Sequence, residues 1–342
     1  MIVRSKAPLR LGFAGGGTDV SPYSDCFGGA VLNATINLYA YCTIESNKED
    51  KIEFNMADAN KKKIIGLVRK IDTGDEFALL TGVYNRVVKD YNDNKPLPII
   101  MTTYADAPPG SGLGTSSTMV VAILSAFIEY LNIPLGEYDV ASLAYDIERN
   151  DIGLKGGKQD QYAATFGGVN YMEFYEDNRV IINPLRVKKW ILDELEASLV
   201  LYYTGTSRDS GKIIFEQIKG TTNNNEKSLN ALHHLKSMAI NMKEYLLKGD
   251  IKNFAETLKS SWEEKKKTSD VVTNTVIDAV YDCAISNGAI AAKVSGAGGG
   301  GFMMIIVPPT RKLDVVNALS NLGGKVVSAN FTKYGVTTWK VD

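Results

Sequence analysis

Apolar residues alternate, incompletely, with polar ones over 2–5, 8–14, 30–46 and 51–55, where Val, Ile, Leu, Tyr and Thr are concentrated. A period near two predicts strands. The period then changes. Phe77, Leu80, Val83, Tyr84, Val87, Val88 and Tyr91 step by three and four, which predicts a helix over 75–91, with a strand over 98–104 after it. The loop 107–115, with two prolines and three glycines, leads to a helix over 116–131. Met119, Val120, Val121, Ile123, Leu124, Phe127, Ile128 and Leu131 make that helix apolar nearly all round, so it belongs inside the protein. Next come a helix over 138–149, a polar loop over 150–159 with a short helical turn, and strands over 168–175, 180–183 and 198–204.

From about 208 to 287 the pattern is helical and more polar, with Leu229, Leu232, Leu235, Met238, Met242 and Tyr245 on one face. The end reads as strand (289–295), glycine-rich turn, strand (302–307), helix (311–322), strand (325–331) and a last short strand. Strand-rich first half, helical middle and βαβ-like tail predict an α+β chain of two domains, 1–190 and 191–342. The length of 342 residues agrees, at roughly 150 residues per domain.

Composition narrows the function. With 38 basic against 39 acidic side chains the formal net charge is −1, so a nucleic-acid partner is not expected. Cys26, Cys42 and Cys283 are too few and too far apart for a disulfide framework or a zinc site, and a reducing cytoplasm is expected. Arg4, Lys6 and Arg10 precede no apolar stretch of secretory type. The apolar run 119–127 is too short to span a bilayer, so no membrane partner is expected. His233 and His234 read as helix-surface residues.

Three glycine-rich segments carry the candidate chemistry. Pro109-Gly110-Ser111-Gly112-Leu113-Gly114-Thr115-Ser116-Ser117 stands ahead of the buried helix. Glycines let successive N–H groups face one point, and a helix N-terminus adds positive potential there, so the segment predicts a phosphate cradle. Its hydroxyls suit a phosphate or a hard cation. It lacks the Gly-Lys-Ser/Thr of a P-loop. The second segment, 295–302, contains G-x-G-x-x-G but runs into a strand instead of opening a helix, which excludes a dinucleotide fingerprint. A site-lining turn that includes Gly296, Gly298 and Gly299 is the better reading. The third, 7–19, brings Arg10 and then Gly16, Gly17, Thr18 and Asp19. For it, and for the charged loop with Glu148, Arg149, Lys155, Lys158, Asp160 and Gln161, structural and functional readings stay open on the residues alone.

Taken in this order, the segments resemble the GHMP kinase superfamily of small-molecule kinases. The P-x-x-x-G-L-G-[ST]-S pattern from Pro109 to Ser116 is the specific match, and Ala7 to Asp19 is similar to the first galactokinase motif. There Gly16-Gly17 stand in place of a Glu-His pair. The G-G-G-T-D form, with G-G-K-Q-D-Q later, is similar to the branch acting on heptose 7-phosphate and, more loosely, to fucokinases. The resemblance implies a two-domain α+β GHMP kinase fold: a ribosomal protein S5 domain 2-like N-terminal domain and a ferredoxin-like C-terminal domain. It implies ATP on 109–117, Mg²⁺ on Ser116 and Glu148, Asp160 as the catalytic carboxylate supported by Arg10, and Asp19 on sugar hydroxyls. The implied reaction is transfer to an anomeric hydroxyl, most specifically of a heptose 7-phosphate. An unphosphorylated sugar, or a silent sugar- and ATP-binding regulator, are the alternatives. A substrate that already carries phosphate needs a second anion site, for which Lys155, Lys158 and Arg208 are the candidates. A homodimer is left open.

Overall fold

The computed structural model describes residues 1–205, 210–223 and 225–341. Two long antiparallel strands, β1 (Ile2–Ala14) and β2 (Gly29–Ser46), form the spine of the first sheet. The two strands expected at 2–5 and 8–14 are thus one strand, broken only in register, between Pro8 and Arg10 and between Gly12 and Ala14. Pro8 has no N–H to give a ladder, and bulges re-aim the residues beside them. Arg10 accordingly donates its backbone N–H to the Leu113 carbonyl, at 3.1 Å, in the predicted phosphate loop.

The other strands of the first half are β3 (Lys51–Met56), β4 (Lys61–Gly66), β5 (Ile99–Ala105), β6 (Val169–Phe174) and β7 (Val180–Pro184). The long β2 pairs with β5 along one end and with β6 along the other, so β6 and β7 branch from the main path. β4 carries Lys61, Lys62 and Lys63 on a sheet edge. Such charges deter edge-to-edge pairing and also mask a strand's apolar pattern.

The second sheet holds β8 (Leu199–Tyr203), β9 (Ala291–Val294), β10 (Phe302–Ile306) and β11 (Lys325–Val327), all antiparallel in the order β11-β8-β10-β9. This is the ferredoxin-like order, with Ser210–Thr222, Glu226–Lys248, Ile251–Lys267 and Thr275–Ser286 filling the helical stretch between β8 and β9. The chain then returns. β12 (Thr337–Val341) pairs with β1 and covers what would be an open edge of the first sheet. The division expected at 190 falls inside the helix Lys189–Ser198, and the last strand lies with the first half.

The helix Thr115–Leu131 is surrounded by β1, β2 and the helix Ala78–Tyr91, which accounts for its lack of a polar face. A second core joins the two sheets. Leu9, Leu11 and Phe13 of β1 pack with Phe254 and Leu258 and with Met304 and Ile306 of β10. Each such fully buried side chain contributes roughly 1.5–3 kcal/mol, so the halves are fixed against each other where the glycine segments meet. Among the described residues no helix is long and apolar enough to cross a membrane.

Candidate active site

A cavity of about 490 Å³ opens where the two sheets meet, and all three glycine segments line it. Its cradle is built locally. Gly110, Gly112 and Gly114 all have positive φ, of 74°, 81° and 78°, a conformation that would strain any other residue here. Gly114 is also the N-cap of the helix Thr115–Leu131, so no side chain caps the first turn. N–H groups that capping would have satisfied remain for a ligand, and they sit at the positive end of the helix. Ser116 and Ser117 line the cavity. Ser111 and Leu113 do not: Ser111 is buried with its hydroxyl 3.1 Å from that of Thr115, and Leu113 is in the core. Both serve the cradle through the backbone.

Opposite the cradle, Asp160 on the helix Gln159–Phe166 meets Arg10. Arg10 Nε and Nη2 lie 2.7 and 2.6 Å from Asp160 Oδ1, and Nη1 donates to the Gly112 carbonyl at 2.6 Å. Arg10 is 4% exposed, so three elements converge on one buried guanidinium. Both contacts to Asp160 fall on Oδ1. Asp19 stands on the neighbouring loop: its carboxylate accepts from Gly17 N–H (3.0 Å), Gln159 N–H (3.1 Å) and Gln159 Nε2 (3.2 Å). Gly16 and Gly17 line the cavity beside it.

The helix expected over 138–149 ends at Asp146 and widens into a π-turn, Ile147–Asp151. Such turns concentrate at functional sites, because the extra residue re-aims side chains. Here Glu148 lines the cavity yet is only 2% exposed. It accepts from Gln161 Nε2 at 2.6 Å and lies 3.2 Å from Arg149 Nη1. Arg149 in turn reaches Ser117 Oγ at 3.4 Å.

Several expected residues stand elsewhere. Thr18 is buried, its hydroxyl bonded to the Gly15 carbonyl (2.7 Å) and to the Ala30 backbone (3.0 Å), and it ties the glycine loop to β2. Gly296 and Gly298 line the cavity. Gly299 does not, and gives its N–H to the Val272 carbonyl at 2.6 Å. Lys155 is exposed at the rim. Lys158 is 1% exposed and faces Asp25 at 3.5 Å, away from the cavity. Arg208 lies outside the described residues. For Lys158→Met we expect unchanged KM values for both substrates and a Tm lower by a few degrees, from steady-state kinetics and thermal melts. A raised KM would return Lys158 to the site.

Sequence reasoning did not reach Lys265 or Gln217, which both line the cavity. Lys265 Nζ donates to the Gly16 carbonyl at 2.9 Å, and burial pushes its pKa down to about 8. Behind it, Lys293 Nζ donates to the Phe13 carbonyl at 2.7 Å, its pKa pushed down to about 7 by burial and by the nearby Lys265 and Arg10. The spacing of Phe254, Leu258, Ser261, Trp262 and Lys265 did carry a signal, since it places Lys265 on the buried face of its helix.

A glycine cradle on an uncapped helix, facing a carboxylate held by a guanidinium, belongs to a small-molecule phosphotransferase. Residues 78–168 match the GHMP kinases N terminal domain and residues 242–325 the GHMP kinases C terminal domain. The chain is 49% identical, over 99% of each sequence, to the D-glycero-alpha-D-manno-heptose 7-phosphate kinase of Campylobacter jejuni. A crystal structure of a D-glycero-D-manno-heptose 1-phosphate kinase from Bacteroides thetaiotaomicron superposes with a TM-score of 0.86 at 51% identity, over 99% of both chains. Lactococcus lactis galactokinase complexed with galactose shares the fold, with a TM-score of 0.77 at 17% identity over 98% of this chain and 95% of that one. The chain belongs to the GHMP kinase family and is a sugar kinase within it. ATP is the phosphoryl donor of such kinases.

Proposed function

We propose that this kinase transfers the γ-phosphoryl group of ATP to the anomeric hydroxyl of D-glycero-D-manno-heptose 7-phosphate, giving the 1,7-bisphosphate and ADP in the cytoplasm. The observation that carries the reading is the Arg10–Asp160 pair, set between the cradle and the Asp19 loop. Near full-length similarity to a heptose 7-phosphate kinase supports the choice of sugar.

In this reading the N–H groups of 110–117 hold the ATP phosphates. Arg10 grips Asp160 Oδ1, which leaves Oδ2 to orient the acceptor hydroxyl and take its proton as the oxygen attacks the γ-phosphorus and ADP departs. Asp19, fixed by Gly17 and Gln159, binds sugar hydroxyls. An anomeric hydroxyl is more acidic than an ordinary alcohol, so a carboxylate is a sufficient base. Phosphoryl transfer asks mainly for positioning and charge neutralisation, which this arrangement provides.

Mg²⁺ fits the donors present. Mg²⁺ takes one or two carboxylates and completes its shell with phosphates and water. Glu148 is a buried carboxylate at the wall of the cavity that Ser116 also lines, linked to the Ser117 hydroxyl through Gln161 Nε2, and Gln161 Oε1 is buried without a hydrogen-bond partner among the described residues. Ser116 and Glu148 would hold the ion, whose charge would neutralise the ATP phosphates.

Incubation with labelled ATP and a panel of sugars tests the reading. Single-turnover transfer to heptose 7-phosphate, at the anomeric position by NMR of the product, is expected. Transfer to free fucose but not to heptose 7-phosphate would overturn the choice of sugar.

A further inference from the structure

Among the described residues that line the cavity, Arg10, Arg149, Lys155 and Lys265 are cationic. Arg10 is committed to Asp160 and the Gly112 carbonyl. Arg149 is engaged by Glu148, Ser117 and the Gly157 carbonyl, at the cradle end. Lys155 is exposed at the rim. Lys265 differs from all of these. It is 3% exposed; among the described residues its ammonium makes one hydrogen bond, to the Gly16 carbonyl, and no carboxylate of them lies within 4.0 Å of it.

An ammonium has three donors, so two remain. Burying a cation is costly, and the pKa of Lys265 is depressed by burial even though the Asp19 carboxylate, beyond ion-pair distance, offsets part of that cost. Its position says which ligand brings the anion. A Cβ on Gly17 would come 3.2 Å from Lys265 Nζ, and Gly17 N–H holds Asp19, so the ammonium occupies the sugar corner of the cavity. The absence of a side chain at Gly17 leaves that approach open.

We propose that Lys265 is a specificity-determining residue whose ammonium contacts the phosphate the sugar already carries, so that the enzyme selects phosphorylated over unphosphorylated acceptors. This rests on the reading of the acceptor as a sugar phosphate. Lys293, behind the glycine loop, does not line the cavity.

Steady-state kinetics with ATP, comparing heptose 7-phosphate with unphosphorylated heptose, provide the test. In Lys265→Met the ratio of the two kcat/KM values is expected to fall by about 10- to 100-fold, the usual worth of a hydrogen bond to a charged group, through KM for the phosphorylated sugar. Lys265→Arg keeps part of the preference. An equal rise of KM for both sugars would make Lys265 a support for the glycine loop and overturn the proposal. So would an equal fall of kcat with both, which would assign the ammonium to the transferred phosphoryl group, and so would an unchanged ratio. If Lys265→Met does not fold, Lys265→Gln is tested by thermal shift, where loss of the extra stabilisation by heptose 7-phosphate over heptose is expected and its retention overturns the proposal. Failure of the functional reading shows separately: the unmodified enzyme would then have no preference for the phosphorylated sugar.

Discussion

Asp160→Asn is expected to lower kcat by about 10²- to 10⁴-fold, the usual contribution of a general base, with little change in either KM. Asparagine keeps the size of the side chain and an oxygen for Arg10, so the acceptor sugar should still bind. What is lost is the capacity to take the hydroxyl proton. Arg10, 4% exposed, is left facing a neutral partner, but its bond to the Gly112 carbonyl remains, so destabilisation should be modest, on the order of 1–3 kcal/mol. Rapid-quench measurement of the transfer step, with thermal melts alongside, separates the two effects. A variant that keeps a tenth or more of kcat would reduce Asp160 to a group that only positions the acceptor.

Asp160 stayed open on the residues alone, and its role came only with the resemblance; the phosphate cradle was legible because its requirement is local. Glycines at 110, 112 and 114 ahead of hydroxyls and an apolar helix state a backbone requirement within ten residues, and the structure meets it with three positive φ angles. Lys158 sits two residues from Asp160 and looked equally available, but the start of the helix Gln159–Phe166 turns it inward to Asp25. Charge and proximity in sequence do not report the direction in which a side chain leaves the backbone. Lys265 failed to stand out for the opposite reason. It lies in Trp262-Glu263-Glu264-Lys265-Lys266-Lys267, which has the composition of a solvated helix end, and only packing against the Gly16 loop, 249 positions away, makes it part of the site. The return of β12 to β1 was equally hidden, since a short strand does not say which edge it will cover.

The largest effect away from the chemistry is expected at Gly112. The phosphate loop and the 295–301 turn come from opposite halves of the chain and touch backbone to backbone: Phe302 N–H donates to the Ser111 carbonyl at 2.8 Å, and a Cβ on Gly112 would run into the Ser295 carbonyl. Gly112 also has φ of 81°, and its carbonyl holds Arg10 at 2.6 Å. An alanine there is strained by roughly 1–2 kcal/mol for the left-handed backbone alone, and relief of the clash must move either the nucleotide loop or the turn. Either shift displaces the carbonyl that positions Arg10 and, through it, Asp160. Misplacement of reacting groups by about 1 Å costs on the order of 10²-fold, so Gly112→Ala should lose about that much in kcat/KM for ATP. Gly323→Ala is the control. Gly323 has φ of 77° with nothing within 4 Å of the added carbon, so it carries the backbone strain without the clash. Steady-state kinetics and melting curves of the two variants should show a smaller stability loss in Gly323→Ala, from backbone strain alone, and loss of activity in Gly112→Ala alone. Equal activity in both would mean that the two loops slide past each other freely, and that the tight contact between the halves does not set the geometry of transfer.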